Sequence, residues 1–255
     1  MADGRGLHRV VRTMGTMFSF TVRDDPTPLL DSVLDGAEAL LHHVDRVFST
    51  YRDDSAISAL ARGESVPEGR RAEVDEVLDL CARAERESEG WFSVRHSAGL
   101  DPSGLVKGWA VERAARLLRE AGAKAVCVNG GGDVQLHGGP WRVGIAHPLV
   151  PGKVAAVVTS DTGPLAVATS GTAERGCHIV DPHTGRPPVG APASLTVVHQ
   201  GLTRADTLAT AAYARGAGAR AWLTGQPGVA AFAVATDGST WTTGSFGAPA
   251  TDHQV

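Results

Sequence analysis

The sequence predicts an α+β fold, in which long helices flank a sheet of short strands. Two strong helical patterns occupy residues 27–48 and 72–89, whereas short strand patterns separated by glycine-rich turns dominate the second half. The chain has 255 residues, of which 42% are hydrophobic, so it can bury a substantial core. This length suits one large domain or two intimate lobes.

Composition excludes several classes of function. The net charge is −4, and no basic run with interleaved aromatic residues suggests a nucleic-acid partner. No apolar stretch is long enough to span a membrane. The N-terminal residues lack the apolar core of a secretory signal, and the three cysteines are too scattered for a disulfide framework. Both observations favour a reducing, cytoplasmic location.

The first elements follow local signals. Residues 17–22 form a strand pattern, and Thr27 with Pro28 provides an N-cap and a first helical residue for the long helix that follows. That helix ends near Tyr51, and a short second turn begins at residue 55. The next helix, residues 72–89, is stopped by Gly90, after which residues 91–94 form a short β-like run.

The stretch DPSGLVKGWAVERAARLL, residues 101–118, combines a loop with an amphipathic helix. Lys107 is predicted in the first turn of that helix, where free backbone N–H groups and the helix dipole favour an anionic ligand. The alternative is an ordinary loop-to-helix junction with a solvated lysine.

A buried strand, residues 125–128, runs into the turn Asn129-Gly-Gly-Gly-Asp133. A dinucleotide-binding fingerprint is rejected, because Gln135 occupies the third glycine position and strand patterns follow instead of a helix. The triple glycine then has two interpretations: a structural hairpin, or a close approach of the backbone to a ligand.

Strand patterns at 154–159 and 165–169 lead into a dense polar segment, residues 168–188. His178 follows Cys177 there, but a zinc site is rejected because further ligands at suitable spacing are missing. A general base would suit His178, since histidine is the commonest choice for removing a hydroxyl proton. The alternative is a satisfied core or edge histidine.

The last helix follows a strand at 194–199 and carries Asp206 and Thr210 on one face, four residues apart. A carboxylate and a hydroxyl presented together suit a hard cation such as Mg²⁺. The alternative is that Thr203 and Asp206 form a variant capping box at the helix start. Strand patterns near 229–235 and 239–243 complete the chain.

Taken together, these residues resemble the ApbE family of FAD:protein FMN transferases. The matching blocks occur in the family's order along nearly the whole chain. They are MGT (14–16), STYRDDSAIS (49–58), DPSGLVKGWAVE (101–112), NGGGDV (129–134), WRVGIAHP (141–148), ATSG…HIVDPHTG (168–185) and SLTVV…ADTLATA (194–211).

The resemblance implies an ApbE-like, T-fold-related two-lobed α/β sandwich with a mostly antiparallel sheet and flanking helices. Residues 1–255 would form a single flavin transferase domain, with FAD between its lobes. The family's FAD-contacting positions fall on Met14, Tyr51, Trp91, Phe92, Ser93, Asp101 and Lys107. Its metal ligands fall on Gly104, through the backbone carbonyl, and on Asp206 and Thr210. The histidine proposed as base falls on His178.

The activity implied is Mg²⁺-dependent transfer of FMN from FAD to a Ser or Thr hydroxyl in the FMN-binding motif of an acceptor flavoprotein, with release of AMP. The alternatives are a Mg²⁺-dependent FAD pyrophosphatase giving FMN and AMP, and a non-enzymatic flavin-binding protein. The chain departs from the family pattern at Ser93 and Glu112, where Asp is usual, and in a shorter segment before Asp101.

Overall fold

The structure, a computed structural model, describes residues 6–96, 99–172 and 179–246. The α-helices of these ranges are α1 (Pro28–Phe48), α2 (Ala56–Ala61), α3 (Glu68–Glu87), α4 (Ser103–Glu120), α5 (Leu202–Ala214) and α6 (Ala219–Thr224). The strands are β1 (Leu7–Thr13), β2 (Thr16–Val22), β3 (Arg95–His96), β4 (Gly99–Leu100), β5 (Val126–Gly130), β6 (Asp133–His137), β7 (Trp141–Ala146), β8 (Val154–Ser160), β9 (Leu165–Gly171), β10 (Ser194–His199), β11 (Ala230–Val234) and β12 (Thr240–Thr243).

An antiparallel sheet of eight strands organises the molecule, in the order β1-β2-β5-β6-β9-β10-β11-β12. The hairpin β7–β8 and the short hairpin β3–β4 form separate two-stranded sheets. The predicted α+β class with a mostly antiparallel sheet is therefore confirmed.

Helices α4 and α5 lie side by side and pack against the middle of the large sheet, α4 on β5 and β6, and α5 on β9 and β10. Helix α1 also packs against α4. Most of the core lies between these helices and the sheet, where residues such as Phe18, Val128, Leu195 and Leu202 are fully buried. Because α4 and α5 pack on the sheet in this way, the surfaces that the two helices turn towards each other hold a fixed position near the ends of β6 and β9.

The signals at helix ends act as predicted. The Thr27 hydroxyl accepts the N–H of Leu30 at 3.1 Å, and Pro28 opens α1. Ser55 caps α2 in the same way, through the N–H of Ser58. Helix α3 ends in a Schellman-type bond from the N–H of Gly90 to the carbonyl of Glu85 at 2.8 Å.

Several local predictions are wrong. Strand β1 was not expected, yet it forms a hairpin with β2 through Met14 and Gly15, both at positive φ, as a two-residue hairpin turn requires. Residues 91–94 form bends rather than a β-like run. Helix α3 begins at Glu68 rather than near residue 72, and α6 was not predicted. In the described part of the chain, no helix is both long and apolar enough to cross a bilayer.

Candidate functional site

Strand β6 alternates polar and apolar residues, and its polar side chains face the helices. Val134 and Leu136 pack with Trp141 on one face. Gln135, on the opposite face, accepts the N–H of Leu202 at the start of α5 at 2.9 Å. Asp133 precedes it on that same face and reaches α4. The strand therefore places two buried polar side chains beneath the helices.

The glycine turn before β6 is a hairpin. Gly131 and Gly132 both have positive φ, and the N–H of Gly132 donates to Asn129 Oδ1 at 2.9 Å. The structural interpretation of the triple glycine as a hairpin is confirmed, whereas a close approach to a ligand stays a prediction. The turn also starts β6 at Asp133, so it determines where that carboxylate lies.

Asp133 is 1% exposed and uses both carboxylate oxygens. Oδ2 forms an ion pair and hydrogen bond with Lys107 Nζ, and Oδ1 accepts the N–H of Thr169 on β9 at 2.9 Å. The Thr169 hydroxyl lies 2.9 Å from that of Thr196. Lys107 is therefore not the solvated lysine of an ordinary helix junction, because a buried carboxylate on the sheet directs its ammonium.

Asp206 lies on α5, is 5% exposed, and faces α4. Its Oδ2 accepts the N–H of Gly108 at 3.2 Å and lies 3.9 Å from Lys107 Nζ. The capping-box interpretation of Asp206 is wrong. The N–H and hydroxyl of Thr203 both donate to Glu112 Oε2, at 2.8 and 2.7 Å, so Glu112 of α4 satisfies the first turn of α5.

Two pairs of residues, each spaced by four, face one another where α4 meets α5. Gly108 lies against Asp206, and a Cβ added at Gly104 would lie 3.9 Å from Thr210 Oγ1 and 3.3 Å from Phe92 Cε2. A side chain at position 104 would fill the space beside the Thr210 hydroxyl. The glycines thus let the backbone of α4 approach the polar face of α5 closely.

The Asp206 carboxylate and the Thr210 hydroxyl lie on the face of α5 that meets α4. Oxygen ligands of this kind suit Mg²⁺, which usually keeps waters and substrate phosphates as further ligands. Among the residues with described positions, no group of three or more His, Cys, Asp and Glu side chains is arranged to hold a metal ion.

Asp101 caps the start of α4. Its Oδ1 accepts the N–H of Ser103, the first residue of the helix, at 2.9 Å, and its own N–H donates to Val94. The helix begins at Ser103, so Lys107 lies in its second turn rather than its first. One of the N–H groups at the helix start, predicted to be available to an anionic ligand, therefore donates to Asp101 instead.

The other predicted flavin contacts lie on loops and turns. Met14 occupies the β1–β2 turn at φ 48° and is half-buried against the core. Tyr51 follows α1 and is 99% exposed. An exposed aromatic ring of this kind is available for stacking on a planar ligand.

The run Trp91–Ser93 connects α3 to the β3–β4 hairpin. Phe92 is 2% exposed and donates its N–H to Ser88 Oγ, so it is a packing residue beside Gly104. The Trp91 ring meets His183 edge-on, with ring centroids 4.6 Å apart. Ser93, where the family usually has Asp, donates its hydroxyl to Glu85 Oε1 at 3.4 Å.

His178 lies outside the described residues. Beyond it, Asp181 organises the DPHTG turn by accepting the N–H of His183 at 2.8 Å and the hydroxyl of Thr184 at 3.0 Å. His183 then contacts Trp91, so this loop is anchored to the predicted flavin-contacting run.

Sequence reasoning missed three polar residues that organise the site: Asp133 and Gln135, which are buried, and Glu112, which is half-buried. A signal for the first two is present, because Asp-Val-Gln-Leu alternates with the strand period immediately after a glycine turn. Glu112 carries no local signal, since its partner Thr203 lies 91 residues away.

The sequence profile of the ApbE family matches residues 14–98 and 93–233. The chain belongs to the ApbE family. The family resemblance inferred from the sequence blocks is thereby confirmed.

Curated relatives support this membership. A FAD:protein FMN transferase from Vibrio cholerae serotype O1 is 35% identical over 124 residues, which cover 44% of this chain and 37% of that protein. In that match the chain spans little more than a third of its relative. A FAD:protein FMN transferase from Haemophilus influenzae is 24% identical over 274 aligned positions, covering 80% of this chain and 79% of that protein.

Solved structures of the family share the fold. The apo flavinyl transferase ApbE of Pseudomonas stutzeri superposes with a TM-score of 0.79 at 24% identity, covering 93% of this chain and 94% of that one. The predicted ApbE-like architecture is therefore confirmed at the level of the fold.

Proposed function

We propose that this protein transfers the FMN portion of FAD to a Ser or Thr hydroxyl of an acceptor flavoprotein, with Mg²⁺ bound and AMP released. The observation that carries the proposal is the convergence of Gly104, Lys107, Asp206 and Thr210 where α4 meets α5. These are the family-matched residues for the metal and for one FAD contact. The names of the curated relatives support the same activity.

The reaction is a displacement at phosphorus. The acceptor oxygen forms a bond to the FMN-side phosphorus of the FAD pyrophosphate, and the bond from that phosphorus to the bridging oxygen breaks. AMP leaves with the bridging oxygen, and the hydroxyl proton goes to a base. In this proposal His178 is the base, as the sequence resemblance implies.

Asp206, Thr210 and the Gly104 carbonyl would hold the Mg²⁺. A bound divalent cation supplies charge neutralisation for the phosphate oxygens during displacement. The chain's own contribution is positional: Gly108 anchors Asp206 Oδ2 through a hydrogen bond of 3.2 Å, and Lys107 adds a positive charge 3.9 Å from the same oxygen. With Mg²⁺ bound at these residues, an anionic pyrophosphate beside them would be favoured electrostatically.

The flavin contacts belong to the same proposal. Tyr51, which is 99% exposed, stacks on the flavin ring of FAD. The other residues of the predicted flavin site contact FAD or pack against residues that do; they are Met14, Trp91, Phe92, Ser93 and Asp101. FAD then lies between two lobes of one domain comprising residues 1–255. The cytoplasmic location expected from the sequence stays a prediction.

Chromatographic detection of AMP separates this activity from its alternatives. Purified protein is incubated with FAD and Mg²⁺, with and without an FMN-binding acceptor domain. AMP release that requires the acceptor, without free FMN, supports transfer. Equal amounts of AMP and free FMN without an acceptor would indicate a pyrophosphatase. Bound but intact FAD under all conditions would indicate a flavin-binding protein.

A further inference from the structure

Asp133 is a buried carboxylate to which the proposed reaction gives no task. It is 1% exposed, and its two oxygens are divided between the N–H of Thr169 and the ammonium of Lys107. Burying a carboxylate is costly unless it is paired and hydrogen-bonded, so its partners have to be held in place around it. The hairpin turn at Gly131 and Gly132 and the pairing of β6 with β9 provide that rigidity.

Lys107 lies between two carboxylates of different roles. Its Nζ contacts Asp133 Oδ2 directly but remains 3.9 Å from Asp206 Oδ2. A direct ammonium–carboxylate hydrogen bond is about 2.7–2.9 Å long, so the contact with Asp206 is longer than a direct bond. The lysine is therefore drawn towards the sheet and away from the proposed metal ligand.

We propose that Asp133 is a positioning residue that holds the Lys107 ammonium back from Asp206. This inference rests on the proposed function, because it concerns the residues that would hold Mg²⁺. With Asp133 in place, the Lys107 ammonium does not close on Asp206 Oδ2, and its charge stays beside the pyrophosphate. Without the Asp133 charge, the ammonium closes on Asp206 and competes with the cation for the same oxygen.

A purely structural role for Asp133 makes a different prediction. In that case its neutralisation lowers the stability of the sheet, and any change in metal affinity follows from that loss. Asp24 provides a matched control, because its carboxylate accepts the N–H groups of Lys124 and Ala125 just before β5 begins. An Asp24→Asn change tests what losing a backbone-anchoring carboxylate does by itself.

The test is a titration with Mn²⁺, with and without FAD, in which electron paramagnetic resonance measures the concentration of free Mn²⁺. Wild type, Asp133→Asn and Asp24→Asn are compared, and thermal unfolding is measured in parallel. We expect Asp133→Asn to raise the dissociation constant of Mn²⁺ at least about tenfold, the scale of one redirected charge-assisted contact. Asp24→Asn should leave that constant within about twofold, well below the tenfold change of one such contact.

A double-mutant cycle then identifies the lysine as the cause. In a Lys107→Met background, Asp133→Asn should change the dissociation constant of Mn²⁺ by less than about threefold, because no ammonium is left to redirect. An equal loss with and without Lys107, or a loss shared by Asp24→Asn, would overturn the inference. So would an unchanged constant in Asp133→Asn. Wild type that binds neither Mn²⁺ nor FAD would instead contradict the proposed function.

Discussion

The backbone N–H of Gly108 donates to the Asp206 carboxylate at 3.2 Å, across the contact between α4 and α5. A Cβ at position 108 would lie 2.9 Å from Asp206 Cβ, 3.0 Å from its Oδ2 and 3.0 Å from the carbonyl of Leu202. The absence of a side chain at this residue therefore sets how closely the proposed metal ligand approaches α4.

Gly108→Ala should displace Asp206 and lower Mg²⁺-dependent turnover at least about tenfold, since small misplacements of a positioned group are costly. Gly36→Ala is the matched control. Gly36 lies within α1 with nothing near its added Cβ, so alanine there should stabilise the fold by about 0.5–1 kcal/mol. Steady-state kinetics and urea unfolding check both changes, and equal activity in the two variants would remove Gly108 from the site.

Tyr51 offers a test of the flavin contact that is free of folding effects. Its ring is 99% exposed, so Tyr51→Ala should change the free energy of unfolding by less than about 0.5 kcal/mol. FAD binding should weaken in Tyr51→Ala and largely persist in Tyr51→Phe, because stacking needs the ring and not the hydroxyl. Quenching of flavin fluorescence measures both constants. An unchanged constant in Tyr51→Ala would contradict a stacking role.

His178 is expected to act on the proton and not on FAD itself. His178→Ala should slow FMN transfer by about 10²–10⁴-fold, the usual contribution of a general base, while the dissociation constant of FAD changes little. Single-turnover transfer and flavin titration separate the two effects. Parallel losses of binding and rate would indicate that His178 supports the structure instead.

Cys81, which is buried, and Cys127, which is half-buried, predict how the fold responds to alkaline pH. Burial raises the pKa of Cys81 to about 12 and that of Cys127 to about 11, from an ordinary value of 9.0. The pKa values of both thiols are higher in the folded protein than in the unfolded chain, so the stability contributed by the protonated thiols is fully present below about pH 9. It is lost as the pH rises through 11 to 12.

At pH 8 both thiols should therefore react with iodoacetamide much more slowly in the native protein than in urea, since the thiolate is the nucleophile. Peptide mass spectrometry measures the extent of labelling at Cys81 and at Cys127 separately. Labelling of either residue at the rate of the unfolded chain would show that it is not shielded as the structure places it.

Local signals predicted much of the fold. The Thr27 cap and Pro28 lie within one helical turn of the residues they act on, so the start of α1 could be predicted from a few neighbouring residues. The start of α5 could not be assigned correctly, because its N–H groups bind Gln135 and Glu112, 67 and 91 residues away. Thr203 and Asp206 have capping-box spacing, but tertiary partners decide their contacts.

The sequence predicted the candidate site only in part, again because some of its contacts join residues that lie far apart in the chain. Asp206 and Thr210 share a helical face, which spacing alone indicates. The partner of Lys107 could not be predicted, because Asp133 reaches it only after the glycine hairpin folds β6 against β5 and β9. Contacts of Gly108 with Asp206, 98 residues apart, depend on how two helices pack, which no short segment specifies.

In-gel flavin fluorescence tests the central claim most directly. The protein is incubated with FAD, Mg²⁺ and an FMN-binding acceptor domain, then denatured and separated by electrophoresis. We expect a fluorescent acceptor band that disappears with chelator, and that is absent for an Asp206→Ala variant whose circular dichroism matches wild type. A dark acceptor with wild-type protein, or a band of equal intensity in the presence of chelator, would contradict Mg²⁺-dependent FMN transfer.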